Sequence, residues 1–570
     1  MNRIALYFIA ITLTLYGCNS NEKQSTTVDK TPEIDNVDEP IGEDSKTKKV
    51  TDRDYSVTPE NAYNDVFLDS MAMERYIERR QLSDKKISRR IRSFYNARNY
   101  QYAWFSSSGI TEQTRFFWNQ YDYAVNHLKD TSLVNTSFYK EVERLVNQEN
   151  PAFRKDSSLL HTEFALTENF IRYISSTYEE GYVKRKEQEK FIPIKKMDPV
   201  IMADSLLNKK HSDDKYYEQV NESYASLKKN LQLYHDITKS GGWPVVTFAK
   251  GSLKKGDTKP VIATIKRRLQ ISQDMPDADT NAVFTDTLEL AVRKFQKRHG
   301  YKESGIITPE LVRDMNVPAR ERLMQVLLNM DRMRWMPQKP SGNLIIVNIP
   351  EFMLHVYEGS KELFNMAVVV GKVGNNTMMF NGDLNQVIFA PYWNVPASII
   401  KNEIMPAIAR NPNYLASKNM EQNGSSIRQR PGPGNALGKV KFIFPNSFNM
   451  YFHDTPSKSL FGRDKRAFSH GCIRVAEPQK LAEWLLRNDP NWPTDKIVEA
   501  MNKTTEKGVK LKDPVPVFII YYTSWVDDTG ELNFRDDVYK HDSELMKKMF
   551  TGVSSTSVKR SGTEEGDGQN

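Results

Sequence analysis

A cysteine, two histidines, a glycine and an arginine stand where thiol chemistry would need them. The stretch Ala467 to Val475 reads AFSHGCIRV and holds Cys472, one of two cysteines in 570 residues. His470 and Gly471 come directly before the cysteine and Arg474 lies two positions after it. His453 is upstream, with fifteen residues between it and Ser469. A thiol attacks a carbonyl as thiolate, so it needs a base or a positive charge to lower its pKa. His453 and His470 are both candidates for that role. Gly471 lets backbone approach closely, and consecutive amide N–H groups beside a nucleophile can stabilise an oxyanion. Arg474 suits a substrate carboxylate. Tyr451, two residues before His453 on the same strand, points to the same face and is a pocket candidate. The structural alternative is a buried cysteine flanked by unrelated histidines, since free cysteine is among the most buried residue types. The cluster of His, Gly, Cys and Arg weighs against it.

The elements that must position these residues are strands. Leu344 to Ile349, Leu354 to Tyr357, Phe364 to Val370 and Val387 to Phe389 are rich in β-branched and aromatic residues. Lys441 to Phe444, Asn449 to His453 and Val515 to Thr523 continue the pattern. Glu358-Gly359 marks a hairpin turn. A mostly β domain over about 343–525 follows, with an insert over about 397–440 where the strand pattern lapses. A long insertion beside such a domain is often a lid or binding loop. Arg428 and Arg430 in the insert and Trp393 just before it are substrate-capping candidates. Pro478 to Leu486 reads as a helix with Leu481, Trp484 and Leu485 inward.

One His, fourteen to seventeen residues, then Ser/Thr-His-Gly-Cys resembles the signature of the L,D-transpeptidase (YkuD-like) catalytic domain. MYFHDTPSKSLF…RAFSHGCIRV is similar to the large Gram-negative, YcbB-like branch, which shares Arg474 where many members have Asn. Trp393-Asn394-Val395-Pro396 and GGWP at 241–244 also resemble that branch. The resemblance implies peptidoglycan cross-linking by acyl transfer, with carbapenem-type inhibitors and no cofactor. Cys472 would attack the L-centred carbonyl at the third residue of a tetrapeptide stem and expel the terminal D-alanine. The side-chain amine of diaminopimelate on a second stem would take the thioester, giving a 3→3 cross-link. His453 is then the base, with a backbone carbonyl orienting its other ring nitrogen. Ser469, His470, Gly471, Arg474 and Tyr451 shape the oxyanion side and the pocket. The same Cys-His pair could serve an L,D-carboxypeptidase or join a lipoprotein to the wall. A non-catalytic wall-binding lipoprotein is the rival of another class.

The rest of the chain fits an exported, multidomain α+β protein. At roughly 100–200 residues per domain the length suggests about three or four domains. The net charge of +8 fits work beside an anionic polymer. No helix-turn-helix, zinc-finger or RNP pattern occurs, so nucleic acid is not expected as a partner. No HExxH or CxxC supports a metal site. Asn2 and Arg3 precede an apolar run from Ile4 to Tyr16 with the build of a secretory signal, 1–17. Leu15-Tyr16-Gly17-Cys18 resembles a lipobox, which implies a lipid on Cys18 and a periplasmic protein held to a bacterial membrane, the outer rather than the inner. An exported chain that keeps one unpaired thiol invites a catalytic explanation.

From 18 to 60 the chain is polar and reads as a tether. Residues 61–245 read as a helical scaffold, with Phe164, Phe170, Ile171 and Ile174 at helical spacing and aromatics such as Trp104-Phe105 as core. Residues 251–316 resemble the small three-helix peptidoglycan-binding module, and Thr308-Pro309-Glu310 has the build of a helix start. A linking helix over 317–342 follows, with Leu323, Val326, Leu327 and Met330 on one side. Residues 526–570 are expected to be a C-terminal tail.

Overall fold

The computed structural model describes residues 49–82, 85–126, 128–147, 157–178, 191–208, 222–276, 279–336 and 342–553. The expected signal segment, Cys18, most of the tether and the end of the tail lie outside the described residues. Where the tether is described, it is docked. Asp54 N–H donates to the Asn96 carbonyl at 2.9 Å, and Val57 is fully buried. Among the described residues no helix is long and apolar enough to cross a membrane.

The scaffold helices are α1 (Ser70–Arg79), α2 (Lys85–Ala97), α3 (Glu112–Asn126), α4 (Thr136–Val146), α5 (Ser157–Tyr178), α6 (Pro199–Leu207) and α7 (Glu222–Lys239). Their core is aromatic. Trp104, Phe117 and Phe170 meet in tilted or edge-on pairs with centroids 5.3–5.4 Å apart, the geometry ring quadrupoles favour. A buried carboxylate fixes the loop that carries Trp104. Glu163 accepts from the backbone N–H groups of Ala103 at 2.7 Å and Trp104 at 3.1 Å. Burial raises its pKa to about 7.

The small module holds α8 (Val261–Ile271), α9 (Asp286–Arg298) and α10 (Pro309–Met315) around Ile265, Leu269, Leu288, Val292 and Phe295. Thr308 caps α10 by accepting from Leu311 N–H at 3.3 Å. The module is fastened to the body by Arg298, which is paired with buried Asp274 and donates to the Leu532 carbonyl at 2.6 Å.

The linking helix, α11 (Ala319–Arg334), is buried all round rather than along one stripe. Its polar residues are satisfied by distant partners. Asn329 donates to Thr523 Oγ1 at 2.8 Å, while Arg332 pairs with Glu112 at 2.7 Å and Asp542 at 2.5 Å. The helix is therefore a hub that clamps scaffold, β domain and the segment around Asp542 together.

The mostly β domain is built on β1 (Asn343–Asn348), β2 (Met353–Glu358), β3 (Lys361–Gly371) and β4 (Phe380–Phe389). Within and after the insert come β5 (Trp393–Asn394), β6 (Met420–Asn423), β7 (Ser426–Gln429) and β8 (Val440–Ile443). Then follow β9 (Tyr451–His453), β10 (Ala467–Ser469), β11 (Ile473–Val475) and β12 (Lys507–Ile520). A nine-stranded sheet runs β10-β3-β11-β9-β8-β4-β12-β1-β2, and β2 also pairs with β3. Hydrogen bonding thus returns on itself, with β10 as a branch. Strands β1 and β12 are apolar on both faces because both are covered. Ile345 and Val347 point into the barrel core, while Leu344 and Ile346 face the scaffold. Outside the barrel, α12 (Pro478–Leu486) and α13 (Thr494–Met501) cover it with Leu481, Leu485 and Ile497.

Two expectations need correction. The insert is not devoid of strands: β5, β7 and β6 form a small sheet over a core of Val395, Ile399, Ile404 and Ile427. Nor is 526–553 a tail. It supplies the hairpin strands β13 (Ser524–Val526) and β14 (Leu532–Phe534) and the helix α14 (His541–Met549). Leu532, Phe534, Leu545 and Met549 are buried in the scaffold core.

Candidate active site

Cys472 sits at the entrance to β11, beside β9. The two strands are parallel, with Phe452 opposite Ile473 and His453 opposite Arg474. Phe452 and Ile473 are fully buried in the barrel. Since alternate residues face opposite sides, Tyr451, His453, Cys472 and Arg474 share the other face. Continuing the register by one residue sets Tyr451 beside Cys472, and His453 is then the diagonal neighbour of the sulfur.

His453 is 5% exposed, and its Nδ1 meets the Asp454 carbonyl oxygen at 2.5 Å. A carbonyl can only accept, so the proton belongs on Nδ1 and the lone pair on Nε2. Burial, reinforced by the Arg474 cation, lowers the imidazole pKa to about 4 and keeps it neutral. The Asp454 carboxylate secures the turn by accepting from Lys439 N–H at 2.9 Å, Thr455 N–H at 2.7 Å and Lys458 Nζ at 2.6 Å.

Burial also pushes the Cys472 thiol up, against the pull of the Tyr451 N–H and O–H and the Arg474 cation. The thiol faces the Asn449 carbonyl at 4.0 Å. Burial, with the sulfur beside it, holds the Tyr451 phenol far above its usual range, so it remains an O–H donor. The structure therefore holds a neutral imidazole and a neutral thiol, not a preformed ion pair.

Ser469 is the pivot of the loop. Its Oγ donates to the Cys472 carbonyl at 2.6 Å and accepts from Gly471 N–H at 3.2 Å. Gly471 N–H is thus engaged by Ser469, and the next N–H along the backbone is that of Cys472. Gly471 adopts φ +114°, a conformation glycine tolerates and other residues rarely adopt. Arg474 leaves its buried Nε without a hydrogen-bond partner among the described residues, beside the thiol. That is a site for an anionic oxygen.

The remaining candidates are dispersed. His470 Nε2 meets Glu403 Oε1 at 2.9 Å, bridging the loop before Cys472 to the helical part of the insert. Arg428 and Arg430 both pair with Glu421, at 2.6 and 2.5 Å, and Arg428 also lies over the Tyr392 ring. Neither is a free cation waiting for a stem carboxylate. Trp393 pairs with Gln429 and packs on the insert's own core. Neither Glu403 nor Asn449 is signalled by local pattern, because each meets the site only through the fold. Among the described residues no cluster of His, Cys, Asp or Glu is arranged to hold a metal.

The strands that carry His453, Cys472 and Arg474 lie within a stretch similar to a known family. Residues 342–517 fit the model of the L,D-transpeptidase catalytic domain. That stretch of the chain is similar to the domain. Residues 89–231 match the scaffold domain and residues 258–315 the model described as "Putative peptidoglycan binding domain". A Haemophilus influenzae protein named "Putative L,D-transpeptidase" is 30% identical over 244 residues, covering 39% of this chain and 48% of that protein. The chain thus spans about half the length of that relative. The L,D-transpeptidase from Mycobacterium smegmatis aligns at 15% identity over 31% of this chain and 58% of its own, with a TM-score of 0.18. The L,D-transpeptidase (Yku) from Stackebrandtia nassauensis aligns at 13% over 49% and 96%, with a TM-score of 0.20. At those scores the superpositions add nothing to the functional assignment.

Proposed function

We propose that this protein forms 3→3 cross-links in peptidoglycan through a thioester on Cys472. The observation that carries the proposal is the shared face of Tyr451, His453, Cys472 and Arg474 within a domain matched to L,D-transpeptidases. The Cys472 proton passes to His453 Nε2 as sulfur attacks the carbonyl of the third stem residue. The carbonyl oxygen becomes an oxyanion facing the Cys472 N–H. Collapse breaks the bond to the terminal D-alanine, whose amine takes the proton from His453 and leaves. The diaminopimelate amine of a second stem then attacks the thioester and gives a proton to His453, which passes it to the departing sulfur, so thiol and neutral imidazole are restored. Arg474 meets a carboxylate of the donor stem.

The apolar leader before Cys18 supports export and lipid attachment, with the protein facing the periplasm from the outer membrane. The module at 258–315 then holds glycan near the site. Muropeptide analysis tests the reaction. Purified tetrapeptide-rich peptidoglycan incubated with the protein should gain 3→3 dimers, and Cys472→Ala should give none. Shortening of tetrapeptides to tripeptides without dimers would replace transfer with hydrolysis.

A further inference from the structure

The loop between β3 and β4 lies against the nucleophile, and the carboxyl-terminal segment holds that loop in place. Thr377 Oγ1 donates to the Gly471 carbonyl at 2.7 Å and accepts from Gly371 N–H at 2.9 Å. The Gly471 carbonyl and the Cys472 N–H belong to one planar peptide, so fixing the first fixes the direction of the second. Thr377 is fixed in turn. Its N–H donates to the Tyr539 hydroxyl at 3.2 Å, and that hydroxyl donates to the Gly371 carbonyl at 2.7 Å. The loop packs closely on Gly371, where a Cβ would stand 1.9 Å from the Asn375 carbonyl oxygen, so a larger residue there would displace it.

Tyr539 is itself tightly held. It is 7% exposed, its ring stacks on Tyr521 with centroids 5.8 Å apart, and its N–H donates to the Tyr521 hydroxyl at 2.8 Å. Tyr521 in turn donates to Asp537 at 2.8 Å. Burial raises the Tyr539 pKa to about 12, so its hydroxyl stays protonated. The chain of contacts therefore runs from a segment 67 residues beyond the nucleophile (539 − 472) to the one N–H the oxyanion needs.

We propose that Tyr539, through Thr377, is a positioning residue for the oxyanion donor of Cys472. This rests on the acyl-transfer assignment above. The two hydroxyls aim the Gly471–Cys472 peptide, and neither touches substrate or sulfur. The consequence is selective. Acylation passes through a tetrahedral oxyanion and needs the aimed N–H, whereas alkylation of the thiol by iodoacetamide passes through no oxyanion.

Two rate constants measured on the full chain separate these effects: acylation by imipenem, followed by intact mass, and alkylation by iodoacetamide. Losing one oxyanion donor outright typically costs a factor of about 100–1,000, and misaiming it should cost about 10–100. Tyr539→Phe and Thr377→Val should each slow acylation by that factor, with alkylation within about twofold of wild type. Thr377→Ser, which restores the hydroxyl, should recover acylation. If both rates fall together, or acylation is unchanged in both variants, the positioning role is refuted. If the wild-type thiol alkylates yet takes no acyl group, the acyl-transfer assignment falls and this role with it.

Discussion

Raising the pH across the Cys472 thiol should reveal a nucleophile that is not ionised in advance. Burial and Arg474 lower His453 to about 4, whereas burial raises the thiol above its ordinary 9.0. The separation is then more than five units (9 − 4). At 1.36 kcal/mol per unit, moving the proton from sulfur to imidazole costs more than about 7 kcal/mol before the charges attract. Even charges as close as about 4 Å would return only about 4 kcal/mol at an effective dielectric of 20, so the neutral pair stays in large excess. The assay is iodoacetamide alkylation against pH, with Cys472→Ala as the blank for Cys18. The rate constant should climb about tenfold per pH unit from about pH 6 to about pH 9, with no plateau near neutrality. Arg474→Met removes the cation that favours the thiolate and should lower the rate at each pH. A plateau with a midpoint below about pH 7 would show a standing thiolate–imidazolium pair and refute the general-base reasoning.

Ser469→Ala strips one partner each from the Cys472 carbonyl and the Gly471 N–H, at about 1–3 kcal/mol for each buried group left unpaired. Imipenem acylation should fall at least about tenfold and the urea midpoint should drop, and acylation at the wild-type rate would contradict the role given to Ser469. Gly371→Ala drives a Cβ onto the Asn375 carbonyl and should displace the Thr377 loop; loss of acylation in a protein that still melts cooperatively is the expected result. Acid should destabilise the fold through His453 and His541, both held near 4 chiefly by burial. Their folded pKa values lie below the unfolded one, so the unfolded chain takes protons first. Stability is then full above about pH 6.5 and lost as pH falls toward 4, by up to about 3 kcal/mol per group. Thermal melts from pH 7 to 4 should show this, and His541→Phe should flatten the profile.

What the sequence displays is what local pattern encodes. Thr308-Pro309 marks a helix start because cap and first-turn chemistry are contained in three residues. The apolar runs of β1 and β12 are legible as strands because both faces are covered and nothing interrupts them. The hub helix α11 is less so. Arg322, Asn329 and Arg332 look like a solvent face until Asp314, Thr523, Glu112 and Asp542 are brought to them. The strands MEQN and SIRQ of the insert are half-exposed, so their polar residues disguise them. At the site, His453 and Cys472 are visible through type and spacing. Thr377 and Tyr539 are not, since their contacts with Gly471 and Gly371 join residues 94 and 168 positions apart. The same distance hides the commitment of Arg430 to Glu421 less completely, yet nothing local shows that the two strands turn back on each other.

The central claim is that one sulfur, served by a neutral imidazole, takes an acyl group from its substrate. Intact-protein mass spectrometry with a stem tetrapeptide as donor, quenched in acid and followed by peptide mapping, measures this directly. The account predicts a thioester adduct of the donor less D-alanine, mapped to Cys472, that is absent in Cys472→Ala and strongly reduced in His453→Ala. A donor consumed by the wild-type protein with no adduct at Cys472, or consumed equally by Cys472→Ala, would contradict it.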